Sequence, residues 1–209
     1  MSRWVGLILL LVGVQCPPHP DLSRYDRLRE LGVNNVSFCF ELWDGQRLAE
    51  VCPGKSRTIG QERYFEAIRY CARLFDTTNG EIIAGLEPPE KTIEAIDWVT
   101  EQGAVPTVCV FRPVVGSDYE DVPPPRTEEM VPVFARLYDA CMRRRLRVGI
   151  APNVKVSIVL LPEECRWLSE HARGYRWQRT KLAVLRPAFA AYFRARLWRR
   201  RAPAPGVSS

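Results

Sequence analysis

The stretch GEIIAGLEP, residues 80–88, decides the fold that this sequence predicts. Its centre, residues 81–86, is a short apolar run typical of a buried strand, and Pro88 ends it because proline has no N–H to donate to a sheet. A helix is predicted next at residues 92–102, closed by Gly103, and then a second strand at residues 105–111. A strand, a helix and a strand in this order form the unit of a parallel sheet.

The same alternation continues on both sides of this unit. The sequence predicts a strand at residues 35–42, a loop around Pro53, Gly54 and Lys55, a final strand at residues 154–161, and helices at residues 21–31, 61–75 and 127–145. Four or five such units fit a chain of 209 residues, whereas a closed eight-stranded barrel takes about 250. We therefore predict an α/β fold, a partial (β/α) TIM-like barrel over residues 1–165.

The amino terminus has two interpretations. Residues 4–14 form an apolar run after Met1-Ser-Arg, as in a secretory signal, and the run is too short to span a bilayer. Gln15 and Cys16 follow it without the small residues of a cleavage site. A buried parallel strand has the same Leu, Ile and Val composition and is the preferred alternative. With it we expect a cytoplasmic protein without a transmembrane segment.

The net charge of +6 divides unevenly along the chain. From residue 166 onward there are eleven Lys or Arg and one Glu, a balance of +10, which leaves 19 basic and 23 acidic residues, or −4, in residues 1–165. A mildly acidic body argues against a nucleic-acid-binding core, because phosphate contacts need positive charge on the folded surface. No nucleic-acid partner is therefore predicted.

The basic end of the chain is predicted to be a helical extension over residues 166–201, interrupted near Pro187, before a disordered tail at residues 202–209. Its aromatic residues alternate with arginines, which is typical of segments that lie on anionic membranes or bind RNA. The preferred alternative is an amphipathic extension that packs its aromatic residues on the barrel and leaves the arginines in water.

The seven cysteines are scattered, and no two have the close spacing of a zinc or redox motif. Buried reduced thiols are therefore favoured over a disulfide framework. The positions are Cys16, Cys39, Cys52, Cys71, Cys109, Cys141 and Cys165.

Polar residues and glycines follow the predicted strands at their carboxyl ends, where a parallel barrel holds its active site. Each has a plain explanation: a carboxylate there is often a helix cap or a surface charge, and a glycine can serve close packing. Their common position on one rim makes them candidates. They are Ser37, Glu41, Gly85, Glu87, Pro88, Arg112, Pro113, Gly116 and Ser117.

At these positions the sequence resembles the barrel of radical S-adenosylmethionine (SAM) proteins, nearest the biotin-synthase-like branch. The resemblance is carried by GEIIAGLEP, preceded by ERYFEA (residues 62–67) and followed by VP (105–106) and FRPVVGS (111–117). VSFCFE (36–41) and PGK (53–55) also fit, so the resemblance covers residues 14–164. Several spaced motifs in the right order make it specific.

The resemblance implies roles for individual residues. Glu41 is similar to the group that binds the SAM ribose, and Arg63 to the arginine that binds the SAM carboxylate in a fork. Residues 80–87, including Gly85 and Glu87, resemble the segment whose backbone approaches SAM, although Leu86 stands where a glycine is typical. Residues 110–116, ending at Gly116, resemble the strand and turn beside the adenine. Arg112 is the candidate for binding an acidic substrate.

One family feature is missing from the sequence. Radical SAM enzymes hold a four-iron, four-sulfur (4Fe-4S) cluster through a Cys-x-x-x-Cys-x-x-Cys loop, and the seven cysteines include no such spacing. No metal ligand is therefore assigned here, although the resemblance implies SAM and a cluster as cofactors.

Two functions follow from this departure. The chain is a carboxy-terminal fragment or split subunit of a radical SAM enzyme, whose cluster loop lies on a companion chain and whose small-molecule substrate is unknown. Alternatively, it is an inactive barrel remnant that binds a ligand or a partner.

Overall fold

The computed structural model describes residues 12–150 and 159–201. Its centre is a parallel sheet in which the spatial order of the four strands, β1-β2-β3-β4, follows the order along the chain. This confirms the predicted α/β class. The strands are β1 (Gly13–Gln15), β2 (Asn35–Glu41), β3 (Thr77–Ala84) and β4 (Val105–Val110).

Helices connect the strands and continue beyond them: α1 (Arg24–Glu30), α2 (Gly45–Val51), α3 (Pro53–Thr58), α4 (Gln61–Leu74), α5 (Pro89–Glu101), α6 (Thr127–Arg143) and α7 (Arg176–Arg201). A 3₁₀ helix, Pro162–Leu168, precedes α7. The prediction of a loop around Lys55 is wrong, because helices α2 and α3 occupy this region. The Asp44 side chain starts α2 by accepting hydrogen bonds from the backbone N–H groups of Gln46 and Arg47, at 2.9 and 3.0 Å.

The two faces of the sheet differ in character. Along β2, buried Val36, Phe38 and Phe40 alternate with half-buried polar residues, because successive side chains of a strand point to opposite faces. The buried residues share one hydrophobic core with α1, α4, α5 and α6. The other face of the sheet is polar and partly open to solvent.

The amino-terminal strand prediction falls mostly on residues outside the described ranges. Residues 4–11 of the predicted strand are not described, and β1 consists of Gly13–Gln15, paired with β2. The strand predicted at 154–161 likewise lies outside the described residues up to 158, and Val159 makes an isolated antiparallel bridge with Cys109.

The basic extension differs from its prediction in two respects. Helix α7 runs through Pro187 without a break, although an interior proline removes a backbone hydrogen bond and crowds the preceding turn. Leu182 of the same helix packs into the main core. Its aromatic residues divide: Tyr175 packs against Tyr138, with ring centroids 6.0 Å apart, whereas Trp167 and Trp177 are exposed. Among the residues placed by the structure, no helix combines the length and apolar character needed to cross a membrane.

The two faces make a testable prediction about stability. Phe38→Ala should lower the free energy of unfolding by about 3–5 kcal/mol, since it opens a cavity under the helices. Ser37→Ala, on the neighbouring residue, should cost about 1 kcal/mol for its hydrogen bond. Urea denaturation measures both variants, and similar losses would contradict the assignment of the core to one face.

Candidate functional site

The loops that follow β2 and β3 are joined at the carboxyl edge of the sheet by Glu87. Its buried carboxylate accepts hydrogen bonds from the backbone N–H groups of Trp43, at 3.1 Å, and Asp44, at 3.0 Å. Burial raises the pKa of Glu87, although the two N–H donors act in the opposite direction. Arg47 adds a second link by donating to the carbonyl of Leu86 at 2.8 Å. Glu87 therefore fixes the position at which α2 begins.

Glu41 lies at the same edge but faces a different neighbour. The register of β2 shifts between Cys39 and Glu41, and Glu41 has a positive φ of 69°, which is unusual for a residue with a side chain. Its carboxylate forms an ion pair with Lys55 of α3. The Lys55 ammonium also donates to the carbonyl of Cys39 at 2.9 Å and lies 5.4 Å from the centroid of the Tyr64 ring.

The environment of Lys55 keeps it charged. Burial acts to lower the pKa of Lys55, but the hydrogen bond and the negative charge of Glu41 outweigh it, so that the pKa is raised. The sequence indicated Lys55 only as part of a loop motif and did not predict this ion pair.

A carboxylate on the open face of the sheet accepts hydrogen bonds from three side chains. Glu81 of β3 accepts from the amide of Gln15 at 2.8 Å, from the thiol of Cys39 at 2.8 Å, and from the hydroxyl of Ser37. Burial and the hydrogen bond with Glu81 raise the pKa of Cys39 to about 12. Sequence analysis proposed Ser37 but missed Gln15 and Glu81. The two-residue alternation of polar side chains in β2 and β3 is the signal that identifies them.

The polar row continues toward the amino ends of the strands. Asn35 donates to Asn79 at 3.1 Å, and Asn79 donates to Thr107 of β4 at 3.2 Å. Polar side chains from four strands are thus brought together on one face.

The two candidate glycines have structural explanations. Gly85 has a φ of 103°, and a Cβ atom there would lie 2.5 Å from Cγ of Pro125. Gly116 has a φ of 82° in an exposed turn, where its N–H donates to Glu120 at 2.6 Å. Conformation and packing therefore account for a glycine at Gly85, and the turn accounts for Gly116.

In the described residues the candidate arginines form no ion pair with the carboxylates of Glu41 and Glu87. Arg63 is half-buried in the first turn of α4, and Arg112 is exposed after β4. A shallow pocket of about 440 Å³ lies beside Glu87, and its lining includes Gly85 but not Glu41. Glu41 and Glu87 therefore share an edge but not a cleft.

The cysteines do not fit a 4Fe-4S cluster. All seven are free thiols, and in residues 12–150 and 159–201 no group of three or more His, Cys, Asp or Glu side chains is arranged to hold a metal ion. Cluster ligands are thiolates, whereas burial raises the pKa of Cys16, Cys39 and Cys109. The described part of this chain therefore lacks the ligand set that the resemblance implies.

Comparison with known proteins finds one informative relative. The chain is 28% identical over 125 residues to bacteriochlorophyllide c C-7(1)-hydroxylase of Chlorobaculum limnaeum, a radical SAM enzyme. The match covers 58% of this chain and 31% of the hydroxylase, so the chain spans about a third of that relative. No family model matches the sequence, and no solved structure matches the fold. The similarity supports a relation to radical SAM proteins; the biotin-synthase-like branch stays a prediction.

The packing of Gly85 can be separated from its backbone conformation. Gly85→Ala and Gly32→Ala both place a side chain at a positive φ, which costs about 1–2 kcal/mol. A Cβ at Gly32 meets nothing within 4 Å, so Gly85→Ala should lose about 1–3 kcal/mol more, owing to overpacking against Pro125. Urea denaturation compares the variants, and equal losses would show that Pro125 does not restrict this position.

The raised pKa of Glu87 predicts a pH dependence of stability. Between the ordinary glutamate pKa and the raised value, the folded protein keeps a proton that the unfolded chain releases, so the free energy of unfolding should fall as the pH rises through this window. Glu87→Gln should remove this part of the slope, and Glu90→Gln, at an exposed position of α5, should keep it. Denaturation at a series of pH values tests this; an unchanged slope in Glu87→Gln would contradict it.

Proposed function

We propose that this chain forms the carboxy-terminal arc of a radical SAM barrel and that the cluster-binding loop is supplied by another segment or by a companion chain. The observation that carries the proposal is the polar face of the sheet. In a (β/α) barrel the helices cover the outer face and the inner face lines the interior, and here polar residues of four strands occupy the face opposite the helical core. The partial similarity to the hydroxylase supports the same proposal.

The carboxyl edge then supplies the contacts to SAM. Glu41 is positioned to accept from ribose hydroxyls, beside Lys55. Arg63 offers its guanidinium to the SAM carboxylate, since no described carboxylate competes for it. The turn at Gly116 provides backbone beside the adenine, and Arg112, exposed after β4, is available to an acidic substrate.

Gly85 and Glu87 serve this site indirectly. The absence of a side chain at Gly85 leaves room for Pro125. Glu87 holds the amino end of α2 by accepting hydrogen bonds from the backbone N–H groups of Trp43 and Asp44. A bound cluster would supply the chemistry of the family, which is the reductive cleavage of SAM to a 5′-deoxyadenosyl radical. This chain contributes binding and orientation to that chemistry.

The second candidate is an inactive barrel remnant that binds a ligand or a partner. It is favoured by the ion pair of Glu41 with Lys55, because this pair already satisfies the carboxylate that a ribose would use. In that case the polar face binds without cleaving SAM.

Calorimetric titration with S-adenosylhomocysteine tests the proposal on the full chain. Binding in the millimolar range or tighter is expected, and Arg63→Ala should weaken it about tenfold or more, since a hydrogen bond to a charged group contributes about 1.5–3 kcal/mol. Arg57→Ala, at an exposed arginine of α3, is the matched control.

Two outcomes contradict the proposal. S-adenosylhomocysteine that does not bind, or that binds Arg63→Ala as well as it binds Arg57→Ala, leaves the inactive remnant as the better account. A stoichiometric cubane cluster in the chain alone, after anaerobic reconstitution with iron and sulfide, would show that the cluster ligands are not supplied from elsewhere.

A further inference from the structure

One side of helix α7 packs against the rest of the protein. Leu182 is 5% exposed and belongs to the main core. The amide of Gln178 donates to the carbonyl of Leu146 at 3.5 Å, and the guanidinium of Arg186 donates to the carbonyl of Gly149 at 2.6 Å. These contacts hold one side of α7 against the segment that follows α6.

Another side of α7 carries an apolar stripe that is largely exposed to solvent. Trp177 and Val184 are 86% and 64% exposed, and their separation of seven residues places them on the same side of the helix. Exposed alanines continue the stripe at steps of four, three and four residues: Ala188, Ala191 and Ala195. A large aromatic ring and a β-branched residue in this position lose little water on folding, so folding alone does not explain them.

The charge of α7 restricts what can cover this stripe. The helix contains nine Lys or Arg residues and no Asp or Glu. A second copy of the chain packed along the same stripe would bring two such helices together, and like charges at close range are unfavourable. A negatively charged surface is complementary instead.

A groove beside the stripe provides further apolar area. It has a volume of about 690 Å³ and lies between α7 and the carboxyl end of α6. Met142, Tyr175 and Val184 contribute apolar surface, and the cationic residues of its lining are Arg143, Arg145 and Lys181. An apolar groove with cations in its lining matches a phospholipid, whose acyl chain is apolar and whose phosphate is anionic.

We propose that α7 and this groove form a docking surface for an anionic phospholipid membrane. The helix lies along the membrane surface with Trp177 and Val184 inserted at the headgroup level, where tryptophan is enriched, and its cations contact lipid phosphates. The protein binds the membrane without spanning it. This surface is separate from the carboxyl edge of the sheet, so the proposal is independent of radical SAM chemistry.

Vesicle flotation of the full chain tests the proposal. Binding is expected to vesicles of phosphatidylcholine with phosphatidylglycerol, to be weak with phosphatidylcholine alone, and to fall with added salt. Lys181→Gln and Arg145→Gln should each lower partitioning about fivefold, because one cation near an anionic surface contributes about 1 kcal/mol. The double variant Trp177→Ser with Val184→Ser should lower it about tenfold or more.

Matched variants on the body of the protein are the controls. Leu31→Ser removes an apolar side chain that is 66% exposed, and Arg57→Gln removes an exposed cation of α3; neither should change partitioning. Equal binding to both kinds of vesicle, or equal losses in control and α7 variants, would overturn the proposal. Binding to a labelled single-stranded RNA in place of vesicles would also overturn it and assign α7 to nucleic acid.

Discussion

The alternation of side chains along β2 and β3 is the constraint on which the rest of this structure depends. Parallel pairing keeps Phe38 and Ile82 on one face, and that face packs with α1, α4, α5 and α6 into one core. The opposite face receives the polar partners of the same strands. Parallel sheets are normally covered on both sides, whereas among the described residues the polar face of this sheet stays partly open to solvent. The carboxyl edge is where that face meets the loops.

Electrostatics at this edge limit what a ligand can do. The side chains of Glu41 and Lys55 are 19% and 25% exposed, so separating the pair would leave two poorly hydrated charges. A ribose is therefore expected to join the pair and not to replace Lys55. The hydrogen-bonding capacity of the Glu81 carboxylate is similarly occupied, because Gln15, Ser37 and Cys39 already donate to it. A ligand on the polar face meets a preorganised network and must supply donors or acceptors that match it.

The α/β class and several individual elements were predictable from local signals, whereas the contacts of the candidate site were not. Periodicity and the positions of glycine and proline located β2, α4, α5 and β4 within a few residues, because these elements are set by neighbours in sequence. Helices α2 and α3 were missed, since each spans two turns or fewer. Glu87 was found by its position, but its role depends on backbone groups 43 and 44 residues away. Gly85 likewise packs closely against Pro125, and a contact between residues 40 positions apart cannot be read from the local sequence pattern.

The division of charge along the chain gives the molecule an orientation near a charged surface. Residues 1–165 carry −4 and the remainder +10, so an anionic membrane repels the body and attracts the extension. The attraction acts within a Debye length, about 8 Å at physiological ionic strength, and therefore requires α7 itself to approach the surface. Once it does, the outer stripe adds a short-range apolar contribution that salt does not screen. Charge thus selects which side of the protein faces the membrane, and Trp177 and Val184 prolong the contact.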